Sequence, residues 1–121
     1  MIFQKFKTLS LAIIVLLLVP VAASAHSMMQ SSSPSDGEVV SEAPETIGMV
    51  FHHAVRLTSL ELTTSGGEEI SIEIDREAEL SNIVAAPLPA LAPDQYRVDW
   101  RAMAPDGHVM SGSFSFTIEA S

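Results

Sequence analysis

The stretch YRVDWRAMAPDGHVMSGSFSFTI, from Tyr96 to Ile118, indicates two β-strands joined by a short turn. Apolar residues occupy every second position on both sides of the turn: Tyr96, Val98, Trp100 and Ala102 before it, and Phe114, Phe116 and Ile118 after it. A period of two is typical of half-buried antiparallel strands. Asp106-Gly107 favours a tight reversal between them. The sequence therefore predicts a hairpin that carries Asp106 and His108 at its tip.

Residues 1–25 have the features of a cleaved export signal. Two lysines begin the segment, an apolar run follows from Leu11 to Val21, and Ala23-Ser24-Ala25 matches a cleavage site. The apolar run is short for a transmembrane helix. We therefore predict a signal peptide over residues 1–25 and one mature domain over residues 26–121, with His26 as its first residue.

The composition of the mature chain limits its partners. Both lysines of the sequence lie in the signal, so four Arg remain against fifteen Asp and Glu, a net charge of about −11. Such a surface repels nucleic acid and attracts cations, including metal ions. The chain has no Cys, which excludes disulfides, thiolate chemistry and a blue-copper site built on a Cys sulfur.

Five further segments alternate between apolar and polar residues and read as short strands: Met28–Ser33, Thr46–Phe51, Ser59–Thr63, Ile70–Ile74 and Asn82–Ala86. In this scheme His52 and His53 lie just past the end of the second strand. With the hairpin, the count is about seven strands separated by turn residues. That count predicts an all-β, immunoglobulin-like β-sandwich.

The aromatic residues of the mature chain are predicted to lie in the core. Tyr96 follows a proline-containing turn at the start of the penultimate strand, which resembles a tyrosine corner, so its hydroxyl is expected to bond to backbone upstream. The alternation places the remaining aromatic side chains inside as well: Phe51, Trp100, Phe114 and Phe116.

His26 is the strongest candidate metal ligand. Once cleavage makes it the amino terminus, its α-amine and ring Nδ1 can chelate one metal ion, because the two groups titrate near ~8 and ~6.5 and lose protons readily at neutral pH. His108 and Asp106 add a nitrogen and an oxygen. Three nitrogens and one oxygen suit tetragonal Cu(II), and Zn(II) is the natural competitor. The alternative for Asp106-Gly107 is a plain turn, since turns favour both residue types.

Two long blocks carry a resemblance to a known family. HSMMQSSSPSDGEV, beginning at His26, and LPALAPDQYRVDWRAMAPDGHVMSGSFSFTI, ending at Ile118, resemble the amino- and carboxy-terminal blocks of the CopC family of periplasmic copper-resistance proteins. The resemblance implies a cupredoxin-like Greek-key β-sandwich. It also implies Cu(II) held by a histidine brace, whose ligands are the amine and ring of His26, Asp106 and His108. The implied role is copper sequestration, delivery or resistance, with a CopD-like inner-membrane protein as the partner.

The chain departs from the family pattern at two places. The family often has an acidic residue at the position of His53, so His53 is an additional candidate ligand, ahead of its neighbour His52. Some members carry a methionine-rich loop for Cu(I), but residues 63–83 contain no Met. The resemblance therefore implies a member specific for Cu(II).

Two other functions compete with copper binding without turnover. Similar copper braces activate oxygen in monooxygenases, but here every mature aromatic residue is assigned to the core, and Asp106 would occupy a position that an oxidase needs open. The other alternative is an immunoglobulin-like structural module without metal. We therefore predict a binding protein and not an enzyme.

Overall fold

The computed structural model describes residues 28–120, which form seven β-strands and no helix. The strands are β1 (Met29–Ser33), β2 (Glu38–Val40), β3 (Thr46–Thr64), β4 (Glu69–Ser71), β5 (Ser81–Pro87), β6 (Asp94–Met103) and β7 (Val109–Ile118). Accordingly, this part of the chain contains no helix with the length and apolar character needed to cross a bilayer. The all-β prediction and the predicted hairpin are confirmed.

Strand β3 belongs to both sheets of the sandwich. Its first half pairs antiparallel with β1 on one side and β5 on the other, as in the pairs Ser32–Met49 and Ile47–Ala86. Its second half pairs antiparallel with β4 and with β6. Strand β6 pairs in turn with β7, and β7 pairs with β2. A three-stranded and a five-stranded sheet are therefore joined through one 19-residue strand.

The core lies between the inward faces of the two sheets. Phe51 from β3 meets Trp100 from β6 edge to face, with ring centroids 5.1 Å apart, a favourable arrangement for aromatic pairs. Tyr96 stacks on Phe116 at 5.5 Å, and its hydroxyl donates a 2.6 Å hydrogen bond to the Ala92 carbonyl. The predicted tyrosine corner is therefore present, and all five aromatic side chains of the described chain are buried.

Three strand predictions were wrong in detail. The segments Thr46–Phe51 and Ser59–Thr63 are parts of one strand, so His52 and His53 lie inside β3 rather than past a strand end. Of the segment over residues 70–74, only Ile70 and Ser71 belong to β4, although Ile72 is buried beside it. Strand β2 was missed, because its three residues show no alternation and pair parallel to β7.

Gly112 provides a testable contact within this core. A Cβ at this position would lie 2.5 Å from Cζ2 of Trp100, so the Gly112→Ala substitution must displace the indole ring. We expect a loss of about 1–3 kcal/mol in the free energy of unfolding, as for other overpacked cores, measured by urea denaturation. The control is Gly66→Ala, where the nearest atom is 3.9 Å away. Equal stability of the two variants would contradict the packing described here.

Candidate metal site

The backbone of the turn between β6 and β7 fixes the positions of two functional residues. Met103 and Val109 form the last cross-strand pair. Beyond them the Ala104 N–H donates to the His108 carbonyl at 2.8 Å, and the Gly107 N–H donates to the Ala104 carbonyl at 2.9 Å. Gly107 has a φ of +90°, a conformation that other residues rarely adopt. The turn thus holds Asp106 and His108 at the tip of the hairpin.

Asp106 and His108 are in direct contact. Oδ2 of Asp106 lies 2.7 Å from Nδ1 of His108, and Oδ1 accepts the backbone N–H of His108 at 3.0 Å. Both side chains are open to solvent, with 64% and 82% of their surfaces exposed. Two hydrogen bonds lower the pKa of Asp106 below its usual value: the one from the His108 ring has the larger effect, and the one from the His108 backbone has the next largest. Asp106 is therefore a carboxylate at neutral pH.

Strand β3 is the neighbour both of the start of the described chain and of the end of β6. The His52 N–H donates a 3.0 Å hydrogen bond to the Met28 carbonyl. Four residues further along β3, Arg56 pairs with Met103 at the base of the turn. The described chain therefore begins beside β3 four residues before the point where β3 starts to pair with β6.

His53 lies in β3 at a position where the pairing with the neighbouring strands β5 and β6 is interrupted. Strand alternation would place it inward with Phe51 and Val55, which are both fully buried, yet His53 is exposed. The β5 pairing is irregular between Val50 and Val55, and the β6 pairing begins only at Arg56. The crossing of β3 between the two sheets thus exposes His53.

The predicted site residues are therefore brought together only in part. Asp106 and His108 form a pair, as their spacing across a glycine turn predicts, although their mutual hydrogen bond was not anticipated. Among residues 28–120 no three His, Asp or Glu side chains are grouped closely enough to hold a metal ion. His53 does not complete a site with the pair, and His26 lies outside the described residues.

The Asp106–His108 pair nevertheless suits a metal ion that receives further ligands from elsewhere. An imidazole nitrogen and a carboxylate oxygen are ligands that both Cu(II) and Zn(II) accept. Exposure leaves the remaining coordination positions accessible, and the net negative charge of the chain favours a cation. Two protein ligands make only half of a four-coordinate site, so tight binding requires another contributor.

A small two-sheet β-sandwich with an Asp–His pair on a hairpin turn defines the class of protein. The family model described as "CopC domain" matches residues 29–119. "Copper resistance protein C" of Escherichia coli is 31% identical over 111 residues, which cover 84% of this chain and 87% of that protein. The chain belongs to the CopC family.

Two further comparisons agree with this assignment. The crystal structure of CopC from Methylosinus trichosporium OB3b superposes with a TM-score of 0.67 at 25% identity, covering 78% of this chain and 95% of that one. "Copper transport protein CutJ" of Bacillus subtilis (strain 168) is 26% identical over 85% of this chain, but the match spans only 20% of that longer protein. The β-sandwich expected from the resemblance is confirmed.

The contact between Asp106 and His108 predicts a measurable pKa difference. In metal-free protein, the Asp106 carboxyl should titrate below the usual range, and His108→Ala should raise its pKa because the ring hydrogen bond is lost. A 13C NMR pH titration of the side-chain carboxyl measures both values. Because folding lowers this pKa, the pair stabilises the fold above the unfolded-state pKa, and this contribution disappears as the pH falls through the folded-state value.

Asp94 is an internal control for this titration. Its pKa is also lowered, mainly by the hydroxyl of Ser65, so it should not change when His108 is replaced. An Asp106 pKa that is the same in both proteins would show that the two side chains do not interact in solution.

Proposed function

We propose that this protein binds Cu(II) in the periplasm, through a histidine brace made by His26, Asp106 and His108, and that it sequesters copper or delivers it. The observation that carries the proposal is the contact between Asp106 and His108 at the hairpin tip, in a chain that belongs to the CopC family. The relatives' names connect them with copper resistance and copper transport. Copper is the cargo of the protein, and the protein binds it without catalysing a reaction.

The length of the chain allows His26 to reach this part of the fold. His26 precedes Met28 by two residues, so their Cα atoms are at most about 7 Å apart. The Met28 carbonyl accepts a hydrogen bond from the His52 N–H, four residues before β3 begins to pair with β6. Removal of residues 1–25 would free the α-amine, and one residue would then supply two nitrogens to the metal.

The ligand types favour Cu(II) over the other common divalent ions. Imidazole and amine nitrogens with a carboxylate oxygen suit a tetragonal ion, and Cu(II) has the highest affinity in the divalent series. A Cu(I) thioether site has less support, because the methionines are dispersed. Four of the five methionines of the described chain lie on different strands, and one of these four, Met49, is buried in the core. Zn(II) is the expected competitor.

A partner in the inner membrane would complete a delivery function. CutJ is named as a transport protein, and this chain aligns with only a fifth of it, so a CopC-like unit there accompanies a much longer remainder. We propose that the copper-binding domain meets a CopD-like membrane protein. The strongly negative mature chain argues against a nucleic-acid partner.

Binding without turnover is favoured over an oxidative enzyme by the position of the aromatic residues. Each aromatic side chain between residues 28 and 120 is at most 2% exposed, so none of them provides a flat surface for a polysaccharide chain. The copper-loaded protein should therefore consume hydrogen peroxide no faster than free Cu(II) does. Faster, saturable consumption would favour the enzyme.

The test of the site uses protein whose first residue is His26. Titration with Cu(II), followed by EPR, should show one tight equivalent with a type-2 spectrum rich in nitrogen ligands. A matched protein with one extra Gly before His26 lacks the amine at the correct position and should bind more weakly with an altered spectrum. Identical spectra would remove the amine from the ligand set, and weak binding by both would favour a metal-free structural module.

His53 is proposed as an additional ligand, and its neighbour is the matched control. His53→Ala should weaken Cu(II) binding several-fold or shift the EPR parameters, because an exposed imidazole near the start of β1 would be lost. His52→Ala removes the adjacent exposed imidazole and should leave both measurements unchanged. Equal effects of the two substitutions would assign His53 no specific role.

A further inference from the structure

The free edges of the two sheets are protected to different degrees. Natural proteins shorten, bend or charge a free edge strand, because its unpaired N–H and C=O groups can pair with another chain. Strands β2 and β4 have three residues each, and the pairing of β1 is irregular between Met29 and Ser31. Strand β5 has seven residues and pairs regularly with β3 from Ile83 to Pro87. Of the outer strands in the described chain, β5 is therefore the longest.

Strand β5 has one unpaired side, and this side carries no charge. Between residues 28 and 120 it pairs only with β3, so the backbone groups on its other side have no strand partner there. Its sequence, SNIVAAP from Ser81 to Pro87, contains no Asp, Glu, Lys or Arg. Pro87 has no N–H to donate, but it is the last residue of the strand. The residues before it lack the usual protection of a free edge.

Apolar surface lies on both faces of this free edge. Ile83 is 67% exposed, more than any other large apolar side chain of the described chain. Alternation places the half-buried Val84 on the opposite face, and this residue lines a groove of about 240 Å3 together with Val55 and Ile74. A strand added to β5 would therefore cover apolar groups on both faces of the sheet.

The sequence of β5 is complementary to itself. An antiparallel pair of β5 strands centred on Val84 would place Val84 opposite the partner subunit's Val84 on one face. On the other face Ile83 would lie opposite the partner subunit's Ala85, and a two-fold axis would repeat this contact. A large and a small apolar side chain would thus meet twice across the strands. No carboxylates would be brought opposite each other, although each copy is strongly negative.

We propose that β5 is a self-association edge, at which two copies of this chain pair their β5 strands antiparallel about Val84. The two three-stranded sheets then form one sheet of six strands. Because each copy supplies a single strand, the interface is small for a stable dimer, and the association depends on protein concentration. Salt strengthens it by screening the negative charges of the two copies. The dimer does not depend on the proposed copper site.

The first test is sedimentation equilibrium of metal-free protein purified after export, over a wide range of protein and salt concentrations. A monomer–dimer equilibrium is expected. Ile83→Lys should raise the dimer dissociation constant about tenfold or more, because it introduces a charge at the edge of each copy. Val39→Lys is the matched control, since it charges an exposed apolar residue on β2, and it should leave the constant unchanged. Monomer at every concentration, equal effects of the two substitutions, or dissociation by salt would overturn the proposal.

Single cysteines test the register of the pairing, because the chain has no Cys of its own. Val84→Cys would place two thiols across the two-fold axis, with Cα atoms about 4.5–5.5 Å apart, which a disulfide can bridge. Ala85→Cys is the control, because position 85 is more exposed but its two copies would be about 8 Å apart, too far for a disulfide. Mild oxidation should cross-link the Val84→Cys protein and leave the Ala85→Cys protein monomeric. Any other pattern would overturn the proposed pairing.

Discussion

The continuity of β3 is the constraint on which the rest of the structure depends. One strand of 19 residues supplies the centre of the smaller sheet with its first half and pairs with β4 and β6 through its second half. The two sheets are thereby fixed relative to each other by covalent bonds as well as by packing. The Phe51–Trp100 contact closes the core across them. Where β3 crosses between the sheets it has fewer neighbours, and there the chain exposes His52 and His53 beside the start of β1.

The candidate site consists of only a few chemical groups. The hairpin turn holds an imidazole and a carboxylate through main-chain hydrogen bonds, so these two groups need little ordering when a metal arrives. The other proposed ligands would come from His26, whose amine would exist only after cleavage of the preceding peptide bond. Under the proposed function the ordering cost of the site is small, because the turn is already formed and the two remaining donors would belong to one residue.

Much of this could be predicted from the sequence, and the exceptions have physical causes. Alternation of apolar and polar residues predicted β6, β7 and the buried aromatic residues, because one face of each strand is buried and the other faces solvent. The proline-containing turn before Tyr96 predicted the tyrosine corner. Alternation failed at His52 and His53, which it placed past a strand end, whereas β3 continues through them as it crosses between the sheets, and no local pattern reveals that crossing. It also failed at β2, whose three residues are held by a pairing with distant β7. For the site, the Asp-x-His spacing placed both residues on one turn, but their hydrogen bond depends on the turn's backbone geometry.

The parallel pairing of β2 with β7 has a consequence for the order in which the chain folds. Val40 pairs with Ile118, so β2 has no partner at this edge of the sheet until β7 is available. Emergence from the ribosome or across a membrane, amino terminus first, therefore cannot produce a closed sandwich stepwise. Pairings this far apart in sequence also slow folding, because loop closure precedes any gain in contacts.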